Sequence, residues 1–222
     1  MALLQAFENL RSLFLTRICP GCGTGLTGTE ATLCSWCSLR LYRNRSTLSR
    51  LSAGGIRVHS VFAHMGLPRE IVIRLKYRGE RHLARCAAIL MDGYSPVLPS
   101  EDALLVPIPA SRKRLRERGY NHAGLIARHL AGITGSGFGK LLVREERHPQ
   151  VGLSEKERRA NVEGVFSIRN RLDCRREIWL VDDVMTTGST LCEASRTLFE
   201  GGADSVSAIT LTYRDTLSIS MI

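Results

Sequence analysis

The sequence predicts an α/β protein, a parallel sheet flanked by helices, preceded by a small cysteine-rich module. Three observations carry this. From residue 56 onward, short apolar runs alternate with stretches of helical periodicity, the pattern of right-handed βαβ units. Ala103–Ile108 is a continuous apolar run, as expected of a strand buried on both faces. The pairs Cys19-Pro20-Gly21-Cys22 and Cys34-Ser35-Trp36-Cys37 repeat a CxxC spacing in a stretch too short to bury a core of its own. At 222 residues the chain suits one ordinary domain plus a small module. We divide it at 1–50 and 51–222, with an amphipathic helix, the cysteine module and a basic arm in the first part.

At the N-terminus, Leu3, Phe7, Leu10 and Phe14 fall at helical spacing. Glu8 and Arg11 interrupt them and no small-residue cleavage site follows, so the segment reads as an amphipathic helix and not as a secretory signal. A cytoplasmic, reducing setting is therefore expected, where seven cysteines are not a disulfide framework. Cys19, Cys22, Cys34 and Cys37 instead suit one structural Zn²⁺, held by four thiolates that leave no position for water. Gly21 and Gly23 permit the turn of a knuckle, and the eleven-residue spacer calls for a tight hairpin. Cys86, Cys174 and Cys192 read as small buried residues.

Residues 38–55 read as a linker. Arg40, Arg43, Arg45 and Arg50 occur there with no acidic residue among them, followed by Ser52-Ala53-Gly54-Gly55. With Trp36 and Tyr42 available to stack on bases, the knuckle and arm suit contact with single-stranded DNA. Beyond the linker, Ile56–His64 alternates as a strand. Pro68–Leu75 and Arg81–Tyr94 read as helices, Asn121–Ile133 as a further one, and Phe138–Val143 as a strand. Gly164–Ile168, Ile178–Val181 and Ser205–Tyr213 read as strands, and Ser189–Glu200 as a helix ending at Gly201-Gly202. Leu142–Asn161 is a long polar segment, which suits a functional loop closing over a site. Arg144, Gln150 and Arg158 would travel with it.

Composition narrows the partners. No window offers about 18 uncharged apolar residues, which excludes a membrane-spanning helix. The net charge is +10, and 27 of the 31 cations are Arg, a bias toward forked contacts with phosphate oxygens.

The most informative stretch is Ile178-Trp179-Leu180-Val181-Asp182-Asp183-Val184-Met185-Thr186-Thr187-Gly188-Ser189-Thr190. It places two carboxylates at the carboxyl end of a buried strand, then a small-residue loop that opens a helix. Open α/β sheets bind ligands at such strand ends. The loop's N–H groups and hydroxyls, from Val184 and Met185 through Thr190, can surround a phosphate at the positive helix end. Asp182 and Asp183 are suited to accept hydrogen bonds from vicinal sugar hydroxyls.

This stretch resembles the fingerprint of type I phosphoribosyltransferases, in which the acidic pair holds the ribose hydroxyls and the Thr-Thr-Gly loop holds the 5′-phosphate of phosphoribosyl pyrophosphate (PRPP). The resemblance extends over nearly the whole chain through Leu75-Lys76-Tyr77-Arg78-Gly79, Val106-Pro107-Ile108-Pro109, Arg118-Gly119-Tyr120-Asn121 and Asn161-Val162. With the double CxxC in front, the chain is similar to the ComF/GntX family, known for roles in competence and in the use of external DNA. The family more often carries Gln at the position of His122.

The resemblance implies a type I phosphoribosyltransferase-like sheet and a pyrophosphate loop over residues 111–118, whose net charge is +4. Ser111, Arg112 and Arg116 are its candidate ligands, with Lys76 reaching in. Mg²⁺ would bridge pyrophosphate and ribose oxygens. The implied reaction is displacement at the anomeric carbon of PRPP, with Asp182 and Asp183 beside the developing positive charge. The alternative is a non-catalytic, PRPP-responsive protein that binds single-stranded DNA. Competence or DNA-processing proteins are the implied partners. Nine residues follow Tyr213, which leaves little for a base-recognising hood at that end.

Overall fold

A computed structural model describes residues 18–26, 32–43, 47–51, 55–145, 164–169 and 176–214. The chain forms two compact units, residues 1–45 and 46–222. Among the described residues no helix is long and apolar enough to cross a membrane.

In the first unit, Ile18 and Gly25 form an antiparallel bridge. Between them Cys19 N–H donates to Thr24 O at 2.8 Å and Gly23 N–H donates to Cys19 O at 2.9 Å. Gly23 supplies the left-handed turn, with φ +77°, that lets the chain reverse between the cysteines. Helix α1 (Ser35–Arg43) follows and seats Cys37 and Leu41 inward, one turn apart.

The span read as a linker is therefore largely structured. It holds the end of α1 and strand β1 (Leu48–Leu51), which pairs antiparallel with β2 (Arg57–Ala63). The inward Leu41 fastens the helix, and ladder bonds to β2 fasten the strand, so the arginine-rich composition did not prevent order.

The second unit adds helices α2 (Gly66–Tyr77) and α3 (Leu83–Tyr94), strand β3 (Leu104–Pro107), helices α4 (Arg112–Arg118) and α5 (His122–Thr134), and strands β4 (Gly137–Phe138), β5 (Leu142–Arg144), β6 (Phe166–Ile168) and β7 (Ile178–Met185). Helix α6 (Ser189–Glu200) and strand β8 (Val206–Tyr213) complete it. Six strands form one sheet in the order β1-β2-β8-β7-β3-β4, parallel except for β1. β5 and β6 form a separate antiparallel ribbon. This is the parallel sheet with flanking helices that the alternation predicts.

Burial explains the order. Ile178, Trp179, Leu180 and Val181 are all buried, as a strand covered on both faces requires. Leu191, Ala194 and Leu198 of α6 pack in one cluster with Ile178, Leu180 and Ala208. Helices α3 and α5 pack on each other, and α5 also packs on β3 and β7.

Three local readings are corrected. Phe138–Val143 is not one strand: β4 belongs to the large sheet and β5 to the ribbon, and Gly139 N–H donates to Leu105 O of β3 where the chain leaves β4. Strand β7 runs on to Met185, so both aspartates lie within it. Residues 112–118 form a helix where the resemblance implied a loop. The Ser111 hydroxyl caps it by accepting from Arg114 N–H at 3.3 Å, and Gly119 ends it with φ +74°. Of the long polar segment, Leu142–Arg144 is β5; Gln150 and Arg158 lie outside the described residues, as does Cys174.

Leu180 is fully buried at the centre of the sheet. Leu180→Ala is expected to destabilise the protein by about 2–5 kcal/mol, read from the urea midpoint.

Candidate functional site

The carboxyl ends of β3 and β7, the last turn of α2 and the first turn of α5 enclose a cleft of about 410 Å³. At its floor lies Asp183, 1% exposed. Lys76 Nζ stands 2.8 Å from its Oδ1, and His122 Nε2 stands 3.1 Å from its Oδ2. The histidine is off the hydrogen-bond direction, so Oδ2 is a buried acceptor without a hydrogen bond. Strand alternation places Asp182 differently: it is partly exposed, and one of its oxygens accepts from Asp183 N–H at 2.9 Å. Burial, and then the neighbouring Asp183 charge, push the Asp182 carboxyl well above its ordinary range.

Both histidines of the cleft are neutral. Burial pushes His122 down to about 4, against the opposing pull of Asp183. Arg118 Nη1 lies 3.4 Å from His122 Nδ1, and because a guanidinium only donates, Nδ1 accepts and Nε2 holds the proton. His122, Asp182 and Asp183 are close enough to surround an ion, but this tautomer leaves His122 no lone pair for one. His64 Nδ1 lies 2.9 Å from Thr212 Oγ1, and that hydroxyl donates to Asp183 O at 3.2 Å; His64 therefore carries its proton on Nδ1.

Lys76, Arg114, Arg144 and Arg214 bring four cations to the cleft that holds the two aspartates. The Arg144 guanidinium lies over the Phe166 ring at 5.5 Å, and its pKa is drawn below its ordinary value by burial and then by Arg114. Next to them, the loop after β7 opens α6. Gly188 takes φ +80°, Thr187 Oγ1 and Ser189 Oγ are 2.8 Å apart, and Ser189 N–H donates to Thr187 Oγ1 at 3.3 Å.

The structure brings Lys76, Asp182, Asp183, Val184, Thr186 and Thr190 to the cleft. Met185 is buried beneath the loop, with its side chain in the core. Ser111, Arg112 and Arg116 are not among the cleft-lining residues: Ser111 caps α4, and the two arginines are exposed on it. Arg114 lines the cleft instead, because a helix turns it away from the face that Arg112 and Arg116 share. Sequence reasoning also missed Asn121, His64 and Arg214. The N-cap position of Asn121, just before a periodic apolar stretch, was a usable signal; nothing local marked the other two.

In the first unit, the sulfurs of Cys19, Cys22, Cys34 and Cys37 lie within 4.8 Å of one another. Cys22 Sγ and Cys34 Sγ are 3.5 Å apart. Bonds of about 2.3 Å to a tetrahedral zinc imply a sulfur spacing of roughly 3.8 Å, so the set is compatible with a zinc knuckle. Backbone N–H groups of Cys34 and Cys37 donate to Cys19 Sγ at 3.4 Å and Cys34 Sγ at 3.5 Å, as thiolates require. On α1, Trp36, Arg40, Tyr42 and Arg43 are exposed; Arg45 lies outside the described residues.

A mostly parallel sheet with an acidic strand end and a small-residue loop entering a helix defines an α/β protein with a ligand cleft at the carboxyl ends of its strands. The chain is 32% identical over 203 residues to competence protein ComFC of Bacillus subtilis, covering 87% of this chain and 77% of that one. It belongs to the ComF family. It is 37% identical over 107 residues to competence protein F of Haemophilus influenzae, 46% of each chain. It is 29% identical over 144 residues to the DNA utilization protein YhgH of Salmonella typhi, 61% of this chain and 63% of that one. No protein-family model matches the chain. Among solved structures it is similar to an adenine phosphoribosyltransferase, with TM-score 0.40 and 14% identity, covering 81% of this chain and 90% of that one.

His64 offers a test of the buried electrostatics. Burial, and then Arg214 and Lys76, push it from 6.5 down to about 4. Between those values the unfolded chain binds the extra proton. Stability contributed by neutral His64 is thus complete above about 6.5 and falls as pH drops toward about 4. His64→Gln is expected to remove one proton's worth of slope from urea-unfolding free energies measured across that window.

Proposed function

We propose that the cleft binds PRPP and that the protein transfers or handles its phosphoribosyl group. The observation that carries this is the joining, at one strand end, of a carboxylate pair, a hydroxyl-rich loop at the start of a helix and four surrounding cations. The loop over Thr186–Thr190 suits the 5′-phosphate: its Gly188 lets the backbone approach closely, and the start of α6 is electropositive. The acidic pair suits the pentose hydroxyls. Lys76, Arg114 and Arg144 suit the pyrophosphate, and the exposed Arg112 and Arg116 of the same helix α4, capped by Ser111, add positive potential beside it.

The donor chemistry also fits Mg²⁺. Asp182 is a partly exposed carboxylate whose charged form is under-compensated, since Lys76 already serves its neighbour. Asp182 would hold the ion, and the ion when bound neutralises pyrophosphate oxygens. If transfer occurs, the carbon–oxygen bond to pyrophosphate breaks as positive charge grows on the ring. Fixed carboxylates and guanidiniums stabilise that separation without a protein nucleophile.

Calorimetry with PRPP and Mg²⁺ tests the reading. Binding in the micromolar range is expected, and Asp182→Asn is expected to weaken it at least tenfold. Absence of heat with the native chain overturns it. Where a base or amine acceptor supports pyrophosphate release, the same variant is expected to cost about 2–4 kcal/mol of transition-state stabilisation. Binding without release across a panel of acceptors assigns the chain to the non-catalytic, PRPP-responsive class.

A second activity has its own support. Zinc held by Cys19, Cys22, Cys34 and Cys37 would fix α1, which presents Trp36 and Tyr42 together with Arg40 and Arg43. The relatives' names, competence protein and DNA utilization protein, agree with a nucleic-acid role. Stacking rings interleaved with guanidiniums suit single-stranded DNA. The Arg40→Ala/Arg43→Ala/Arg45→Ala variant is expected to weaken oligonucleotide binding at least tenfold and to flatten its dependence on log salt by up to about two units. An unchanged salt slope in fluorescence anisotropy counts against it. Competence or DNA-processing proteins would be its partners, in the cytoplasm.

A further inference from the structure

Helix α4 adds nothing to the core. Arg112 through Glu117 are exposed, and no residue of the helix is buried. Its one apolar side chain, Leu115, is 38% exposed. So short a helix is marginal by itself, and helices ordinarily gain stability by packing an apolar face. α4 has no such face. Ser111 caps its start and Gly119 its end.

Its charges oppose it further. Five cations stand against one acid, Glu117. Lys113 and Glu117 form the one complementary pair on the helix, at 4.0 Å and one turn apart. Arg112 and Arg116, and again Arg114 and Arg118, are like charges at the same i,i+4 spacing, which destabilises a helix. Among the described residues no carboxylate pairs with Arg112, Arg114 or Arg116. The helix therefore lacks negative charge along its length, and a polyanion laid across it supplies that charge.

An aromatic ring stands beside these cations. Tyr77 is 71% exposed, and the Arg118 guanidinium lies over its ring at 5.0 Å. Arg118 is also 3.4 Å from His122 Nδ1, so it is held from the α5 side. The ring is thereby set in direction while most of its area stays exposed. Around α4, Arg112 and Arg116 share one side and Arg114 and Arg118 the other, with Leu115 on a flank between them.

We propose that α4 and Tyr77 form a surface for single-stranded nucleic acid at the mouth of the cleft. A strand crosses the helix with its phosphates on Arg112 and Arg116 and stacks an unpaired base on Tyr77. This surface lies in the second unit, is distinct from the contacts assigned to α1, and stands without the PRPP reading. Tyr77 and Arg114 line the cleft, so a strand held here passes its entrance. An acidic membrane would meet the same charges, but α4 offers it no apolar row to bury, only Leu115.

The experiment follows a labelled oligothymidylate by fluorescence anisotropy over a salt series, with the full-length, zinc-loaded chain. Arg112→Ala/Arg116→Ala is expected to weaken binding roughly fivefold or more and to flatten the log–log salt slope by about 1.4, or about 0.7 for each phosphate contact. Neither side chain is buried, so this variant keeps the native fold. Tyr77→Ala is expected to weaken binding roughly fivefold or more with the slope unchanged, and Tyr77→Phe to bind within about twofold of the native chain. In the Arg40→Ala/Arg43→Ala/Arg45→Ala chain, the α4 substitutions are expected to cost the same factor, as separate surfaces require.

Unchanged affinity and slope in Arg112→Ala/Arg116→Ala overturn the proposal and leave the α1 contacts standing. A duplex bound as tightly as the single strand, with no effect of Tyr77→Ala, also overturns it. Intact oligothymidylate binding with lost cosedimentation on phosphatidylglycerol vesicles makes α4 a membrane surface and overturns it likewise. A native chain that binds no oligothymidylate overturns both this surface and the one on α1.

Discussion

A carboxylate buried at the end of a central strand governs the rest of this site. Taking such a charge out of water costs several kcal/mol unless a partner of opposite sign is held against it. Asp183 meets that demand with Lys76 at 2.8 Å. Lys76 belongs to the last turn of α2, while His122, the second neighbour, opens α5. One buried charge therefore ties α2 to the end of β7 and stands against the start of α5, and the walls of the cleft follow. The tie is local to the ligand end of the sheet. The opposite end relies on apolar contact between α6 and the strands.

The cleft's sign follows from the same accounting of charge. Lys76 balances Asp183, which leaves Arg114, Arg144 and Arg214 set against Asp182 alone. Burial keeps the two histidines neutral despite the nearby Asp183. The positive potential thus resides on three guanidiniums, groups that hold their charge at any physiological pH and fork onto phosphate oxygens. The loop at Gly188 adds oriented backbone dipoles where the chain enters α6. A multiply phosphorylated ligand satisfies both sets of groups at once, with cationic and dipolar contacts on different parts of one molecule.

Much of this was legible in the sequence. The apolar run Ala103–Ile108 and the strand before Asp182 gave the parallel sheet, because continuous burial leaves little room for polar alternation. The spacing of Cys19, Cys22, Cys34 and Cys37 gave the cysteine cluster, whose geometry is set by short loops. What escaped notice depended on contacts between distant segments. Arg214 enters the cleft only because β8 lies beside β7, and His64 only because β2 lies beside β8. The error at residues 111–118 is of another kind. Ser111, a run of good helix formers and Gly119 are a complete helix signal, but the density of charge drew attention to Arg112 and Arg116, which the helix turns outward. Arg40, Arg43 and Arg50 were likewise read as a basic arm within a linker, although Leu41 and the pairing of β1 gave that span its order.

The adjacent aspartates show how a strand gives neighbouring letters unequal environments at one site. Successive side chains of a β-strand point to opposite faces. The burial of β7 follows that rule through its acidic stretch, with Asp183 buried and Asp182 and Val184 part-exposed. In a helix or a loop, two consecutive carboxylates can address one ligand. At this strand end both still reach the cleft, their oxygens within 4.8 Å of one another and of His122, but with unequal burial. Asp183 turned toward Lys76 and His122 and was neutralised there. Asp182 kept its access to the cleft, where burial and then the neighbouring Asp183 charge raise its affinity for a proton. The strand's period of two thus gives the doubled residue one deeply buried charge, held by Lys76, and one part-exposed charge at the same cleft.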